Sequence, residues 1–336
     1  MLIVCSEKLE KLYHRELLVW FHYHNAGLFA GSPSFDYTLA HQMGNSMIHI
    51  VTDTLAGIPA AISSQLNLTV IPQYIIIDNR AYRDDFEITP NEIVTTMKND
   101  GHLPHTAAPP PSLYHPVFAE KTANGDIVLV IGPSAVLSGT VNSVKTAMKE
   151  FPDADIRVFD TGIIAAPMAT MAIQAARWAK EGKSIDKIIA SLEDMKRRFR
   201  AYLVLNSLEY LHKGGRIGGA QAVMGSLLQV KPILTMGQHR IEPYQRVRSH
   251  RKALERLVSL TEAECPPDEN SHLCIMQCDA EQDAVWLSET LSRKLSLSPI
   301  PVYGVSSALI VHRGTWNSGG KFLHFLKILR IGITYP

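Results

Sequence analysis

From Ile48 onward, short apolar runs alternate with stretches in which apolar residues recur every three or four positions, a strand-then-helix rhythm. Ile48-His-Ile-Val-Thr-Asp53 predicts a strand whose apolar run ends in polar Thr52, Asp53 and Thr54, as a parallel strand delivers side chains to a site. Residues 68–77 form a second run, closed by an Asp78-Asn79 turn and followed by polar text at 82–85 that predicts a loop. Pro72 argues against an unbroken central strand there. Thr89-Pro-Asn-Glu92 combines a capping threonine, a proline at the first helical position and a glutamate three residues on, so a helix starts there and stops at Gly101. The prolines of 103–111 predict a stiff irregular loop.

Residues 126–131 predict a strand buried on both faces, and Val141, Val144, Ala147 and Phe151 recur at helical spacing after it. A strand at 156–160, helices over 165–180 and 184–200 and a short strand at 202–205 follow. Beyond Asn206 the text changes. Gly214-Gly-Arg-Ile-Gly-Gly219 interrupts a helical pattern, and residues 231–236 and 240–247 predict a hairpin around Gly237. A helix over 250–260, a strand at 273–278, a helix over 280–295 and a last strand near 309–312 complete the prediction.

The fold class is therefore α/β, expected as two α/β domains: residues 47–200 with a mostly parallel sheet flanked by helices, and residues 201–336 with a smaller mixed sheet. Residues 1–46 break from this text. Their Gly, Ser and Pro content and the absence of a small-residue cleavage site predict a poorly ordered extension, or a start assigned upstream of the real one, rather than a signal peptide. Met47 is expected to open the folded unit.

Composition narrows the function classes. The 336 residues are 46% hydrophobic and 19% charged, which suits buried cores rather than disorder. Lysine and arginine number 33 against 32 acidic residues, so no basic excess points to nucleic acid. The apolar runs fall short of the roughly 20 residues that span a bilayer, and no membrane span is expected. Cys5, Cys265, Cys274 and Cys278 are too few and too uneven for a disulfide framework, and fit a reducing cytoplasm. Cys274 and Cys278 lack a second ligand pair and read as core residues rather than a metal site.

Candidate chemistry gathers in Gly132-Pro-Ser-Ala-Val-Leu-Ser-Gly-Thr140, where a strand, a Gly/Ser/Thr loop and a helix start would offer backbone N–H groups to a carboxylate or phosphate. Turn chemistry explains the same residues. Asp53 and Asp160, both at strand ends, fit helix capping as well as ligand contact.

Several separated segments together resemble the DegV family. They are Val51-Thr-Asp-Thr54, Tyr82-Arg-Asp84 with Ile88-Thr-Pro90, Leu137-Ser-Gly-Thr140, Leu208-Glu-Tyr-Leu211 followed by Gly214-Gly-Arg-Ile217, Lys231-Pro-Ile-Leu234, Val247-Arg248 and Lys252-Ala-Leu-Glu-Arg256. The resemblance implies two α/β domains holding one long-chain fatty acid with its carboxylate near the domain junction, without a cofactor and without chemistry of the protein's own. In bacteria with a partner fatty acid kinase, such proteins present the carboxylate for phosphorylation. In that reading the carboxylate clamp would comprise Thr106, Ser134, Ser138, Gly139 in the 137–140 turn, and His312; Arg216 and Arg248 are expected to meet any kinase partner, whose nucleotide site is anionic and would be steered by basic residues. Taken alone, Thr106 could close a turn, Arg216 could cap a helix or pair with an acid, and Arg248 could belong to a solvated face.

The chain departs from the family pattern at Ala107-Ala108, at Ala135 and at Thr315-Trp316, and residues after Gly314 read as an amphipathic helix or an altered end. The competing readings are an interaction protein that has lost its ligand, which draws on those departures, and a small-molecule enzyme, kinase- or hydrolase-like, using Asp53 and Asp160. Neither a Gly-x-x-x-x-Gly-Lys-Ser/Thr phosphate loop nor a Gly-x-Ser-x-Gly nucleophile turn supports the enzyme.

Overall fold

The main sheet is buried on both faces, with successive side chains entering two different cores. The computed structural model describes residues 46–84, 87–99, 104–205, 208–226, 230–237, 239–265, 272–277 and 280–313. The predicted extension at 1–46 and the atypical tail after Gly314 thus lie, but for residue 46, outside the described residues, as do Gly101, Cys5 and Cys278. Strand β1 (Ile48–Asp53) pairs in parallel with β2 (Thr69–Ile71) on one side and with β6 (Ile127–Gly132) on the other, and β7 (Ile156–Asp160) joins β6 in parallel. Val51, Val128 and Val130 point to one face, packing with Tyr114, Phe118 and Val144. Ile50, Leu129 and Ile131 point to the other, against an alanine-rich helix over Ala166–Lys180. Helix α1 is Ala60–Gln65, α2 Pro90–Asn99, α3 His115–Thr122, α4 Thr140–Met148, α5 Ala166–Lys180 and α6 Ile185–Arg198. Sheet and helices thus form a parallel α/β layer whose strand ends point at the Thr54 and 132–140 loops.

The run at 68–77 is broken, as Pro72 requires. β2 ends at Ile71, and Tyr74–Ile77 becomes β3 of a separate antiparallel sheet of order β4-β3-β5. Two loop expectations are corrected here. Residues 80–83 form strand β4 (Arg80–Arg83), which returns along β3 through Asp78 and Asn79, both at positive φ (48° and 63°) as a two-residue hairpin demands. Within the proline-rich loop, His105–Ala107 forms β5, an edge strand that takes its hydrogen bonds from β3 between flanking prolines. The capping box at Thr89 is present: its N–H donates to Glu92 Oε2 at 2.7 Å and the Glu92 N–H to Thr89 Oγ1 at 3.3 Å.

Past residue 200, β8 (Tyr202–Val204), β9 (Lys231–Gly237) and β10 (Arg240–Val247) make an antiparallel sheet, with α7 (Glu209–Lys213) and a 3-10 segment (Gly218–Ser226) on one face. Helices α8 (His250–Glu264) and α9 (Glu281–Leu295) cover the other face, and β11 (Ile275–Gln277) pairs in parallel with β12 (Val302–Gly304). The predicted last strand near 309–312 is also corrected, since Ser307–Arg313 is helix α10 and the strand precedes it. α10 is enclosed on several sides. Ile310 and Val311 pack with Ile75 of β3 and Ile93 of α2, while Leu309 packs against the main core, so three consecutive apolar residues are buried and show no helical period. That docking brings the end of the described chain onto the sheet that carries Thr106. Among the described residues no helix is long and apolar enough to cross a membrane, and no cluster of metal-binding side chains occurs.

Candidate functional site

An open cavity of about 830 Å³, counting the space continuous with solvent at its mouth, lies where α10, the β3–β5 sheet, the 137–139 turn and α7 converge. Its apolar wall includes Leu55, Leu137, Ile164, Leu205, Ile241 and Leu309. Its polar end carries Thr106, Ser138, Arg216 and His312. Each arrives from a different element.

Thr106 sits on β5 opposite Ile75, and its Oγ1 lies 2.7 Å from Nε2 of His312, 206 residues further along the chain. His312 Nδ1 is buried without a hydrogen-bond partner among the described residues. A buried lone pair costs less than a buried unpaired N–H, which assigns the proton to Nε2. His312 then donates to Thr106, and the Thr106 hydroxyl is left to donate into the cavity. Burial and, secondarily, the Arg216 charge push the imidazole down to about 4, so it is neutral near pH 7.

Gly214, just past α7, makes room for this ring. A Cβ there would lie 2.4 Å from His312 Nδ1 and 3.0 Å from the Tyr210 carbonyl oxygen. Gly214→Ala should therefore turn His312 off Thr106 and weaken binding of the cavity's ligand about tenfold, read by calorimetry, with far-ultraviolet circular dichroism unchanged. An alanine variant that binds like the parent would show that the His312 position does not matter.

Ser138 and Gly139 open α4. The Leu137 and Ser138 amides donate to the Ser134 carbonyl, folding the turn so that Ser138 and Gly139 face the cavity at the positive end of the helix. Ser134 itself is placed differently from its expected role: it is fully buried, and its hydroxyl donates 2.8 Å to the His239 carbonyl instead of entering the cavity. Arg216 lines the same cavity in the carbonyl-capping role that its sequence also allows. Half-buried in the cavity wall, its guanidinium donates to the carbonyls of Leu137 (3.2 Å) and Gly214 (2.6 Å), tying together the two turns that carry Ser138 and support His312. Arg248 is exposed, between β10 and α8.

Behind Ser138 lies a buried polar network that sequence reasoning missed. Asp53 Oδ1 accepts the Leu55 N–H at 2.9 Å, a capping role, while Oδ2 accepts Gln73 Nε2 at 2.6 Å and the Thr140 hydroxyl at 3.0 Å. Burial pushes this carboxyl up to about 7 against the lowering effect of its hydrogen bonds. Asp160, its partner in the enzymatic reading, accepts the Gly162 N–H at 2.8 Å and, weakly, the Ala135 N–H at 3.4 Å. Both carboxylates are engaged by backbone amides, and neither lines the cavity.

The sequence matches the model of the DegV family over residues 47–319. The chain belongs to the DegV family. Protein DegV of Bacillus subtilis is 32% identical over 248 residues, 74% of this chain and 88% of its own. The solved structure of a fatty-acid-binding DegV family protein from Thermus thermophilus superposes with a TM-score of 0.76 at 30% identity, covering 85% of this chain and all of that one. DegV of B. subtilis, described as a fatty acid binding protein, superposes with a TM-score of 0.73 at 28% identity, with 85% of this chain and 100% of that chain covered. The DegV fold thus accounts for both the parallel layer and the smaller sheets around the cavity.

Proposed function

We propose that this DegV-family chain is a fatty-acid carrier that lays an acyl chain along the apolar wall of the cavity and holds its carboxylate at the polar end. The observation that carries this reading is the pairing of an apolar slot with one compact set of donors, Thr106, Ser138 and Arg216, with His312 fixing Thr106. Each buried methylene contributes about 0.8 kcal/mol, while an unpaired buried carboxylate would cost several. A carrier needs that division, and the fatty-acid-binding relatives support it.

In this reading residues 47–200 supply Thr106 and Ser138, and the second unit supplies Arg216 and His312. The finer role is presentation of the carboxylate to a partner fatty acid kinase. Exposed Arg248 would steer that anionic partner, and Arg216, in the cavity wall, would face the ligand.

The test compares laurate with its methyl ester in calorimetry. Thr106→Ala and Ser138→Ala should each weaken laurate by roughly ten- to a hundredfold, the worth of one charge-assisted hydrogen bond. The ester, which lacks the charge, should bind weakly to the parent and change little on mutation. Equal losses for both would mean damage to the slot, and a parent that binds no laurate would overturn the carrier.

A further inference from the structure

The hydroxyls behind the carboxylate site form a line with a direction. Ser138 Oγ, on the cavity wall, lies 3.0 Å from Thr140 Oγ1, and either oxygen can be the donor. Thr140 Oγ1 lies 3.0 Å from Asp53 Oδ2 and also receives Gln73 Nε2–H at 2.8 Å. Thr140 has one hydroxyl proton, so it donates either to Asp53 or to Ser138. With Asp53 ionised, Thr140 donates to the carboxylate, Ser138 donates to Thr140, and Ser138 turns lone pairs toward the cavity. That arrangement repels a ligand carboxylate. With Asp53 protonated at Oδ2, each step reverses: Asp53 donates to Thr140, Thr140 to Ser138, and the Ser138 proton is free for the ligand.

We infer that Asp53 and Thr140 are positioning residues that set the direction of the Ser138 hydroxyl, so that a fatty-acid carboxylate binds together with one proton taken up at Asp53. The inference rests on the carrier reading. The proton balance is closed: one proton passes from solvent to Asp53 Oδ2, two hydroxyls rotate, and the ligand remains a carboxylate. Electrostatics favours the same outcome, because two neighbouring carboxylates in a low-dielectric interior resist being ionised together. Burial already brings Asp53 close to neutrality, so the uptake is not opposed by a strongly acidic group.

The other titratable groups around Asp53 lie off the Ser138–Thr140–Asp53 line. The Tyr114 phenol, from the α3 side, is held well above its ordinary value by burial and stays neutral. Asp84, at the end of β4, is linked through Thr54, whose hydroxyl donates to it at 2.9 Å and accepts the Gln73 N–H at 3.0 Å. Across the cavity stand neutral His312 and the Arg216 cation.

Laurate below its micelle concentration is titrated into the full chain at pH 8 and pH 5.5, each in two buffers of different ionisation enthalpy. The parent should take up about one proton per ligand at pH 8 and far less at pH 5.5, with affinity falling about tenfold per pH unit above the Asp53 midpoint. Thr140→Val breaks the line while keeping the shape; its Ser138 hydroxyl has no threonine oxygen to donate to and stays free for the ligand, so affinity should lose the steep fall above the Asp53 midpoint. Asp53→Asn, whose Nδ2 can donate to Thr140 once the Gln73 amide turns its oxygen toward it, should bind without uptake and without this pH dependence. The carboxyl-carbon NMR shift of labelled laurate should remain that of a carboxylate. Binding without proton uptake at pH 8, uptake that persists in both variants, or a neutral bound ligand would each overturn the inference and leave the carrier intact. Failure to bind laurate at any pH would overturn both.

Discussion

Relative to the parent, ligand-free Asp53→Asn should gain about 3 kcal/mol of stability between pH 5 and pH 8. The Asp53 carboxyl moves from an ordinary 3.8 to about 7 on folding because burial disfavours its charge. Between those values the folded chain binds a proton that the unfolded chain has released, so stability from this group is present at low pH and is lost as pH rises toward 7. Each pH unit is worth about 1.4 kcal/mol, and roughly two units of the window fall above pH 5. His312 works in the opposite sense, because its folded value of about 4 lies below the ordinary 6.5, and its contribution is lost as pH falls. It is present in both proteins, so it cancels in the difference. Urea unfolding at closely spaced pH values measures that difference directly, and parallel curves for the two proteins would show that Asp53 is not buried as described.

Arg216→Glu should abolish laurate binding, a loss of about a thousandfold or more, whereas Arg248→Glu should leave it unchanged. The first substitution removes the hydrogen bonds to the Leu137 and Gly214 carbonyls and sets a carboxylate against that of the ligand in the cavity wall. Truncating a buried charge partner costs about 2–5 kcal/mol, and the reversed sign adds repulsion. Arg248 is exposed and lines no part of the cavity. Lipid content after stripping and reloading, measured by mass spectrometry, separates the two. Equal retention in both variants would move Arg216 out of the site.

The parallel layer was legible because its signal is local. β6 is a continuous apolar run and is buried on both faces, and Val51 and Ile50 alternate between two cores as period two requires. The misread elements have context that the text does not carry. β5 lies between prolines and exists only because β3 offers it an edge. In α10 the consecutive Leu309, Ile310 and Val311 are taken up by separate clusters, so the short apolar run reads as a strand.

The same division runs through the site. Thr106, Ser138, Gly139 and His312 were carried over from the family resemblance and do line one cavity, whereas Ser134 was taken up by the His239 carbonyl from a distant turn. Arg216 between glycines gave no sign of which carbonyls it would bridge. The Gln73 and Thr140 partners of Asp53 come from 20 and 87 residues away, and no spacing rule reaches that far.

The bond between Thr106 and His312 also has a consequence in time. Its halves are separated by 206 residues, and the second half lies on the last described helix. A growing chain emerges from the ribosome in order, so Thr106 and Ser138 are exposed to the cell well before His312 has been synthesised. Until α10 docks, the apolar wall lacks Ala308 and Leu309, and the polar end lacks the ring that fixes the Thr106 hydroxyl. The cavity is therefore complete only once translation has passed the last described helix and that helix has docked.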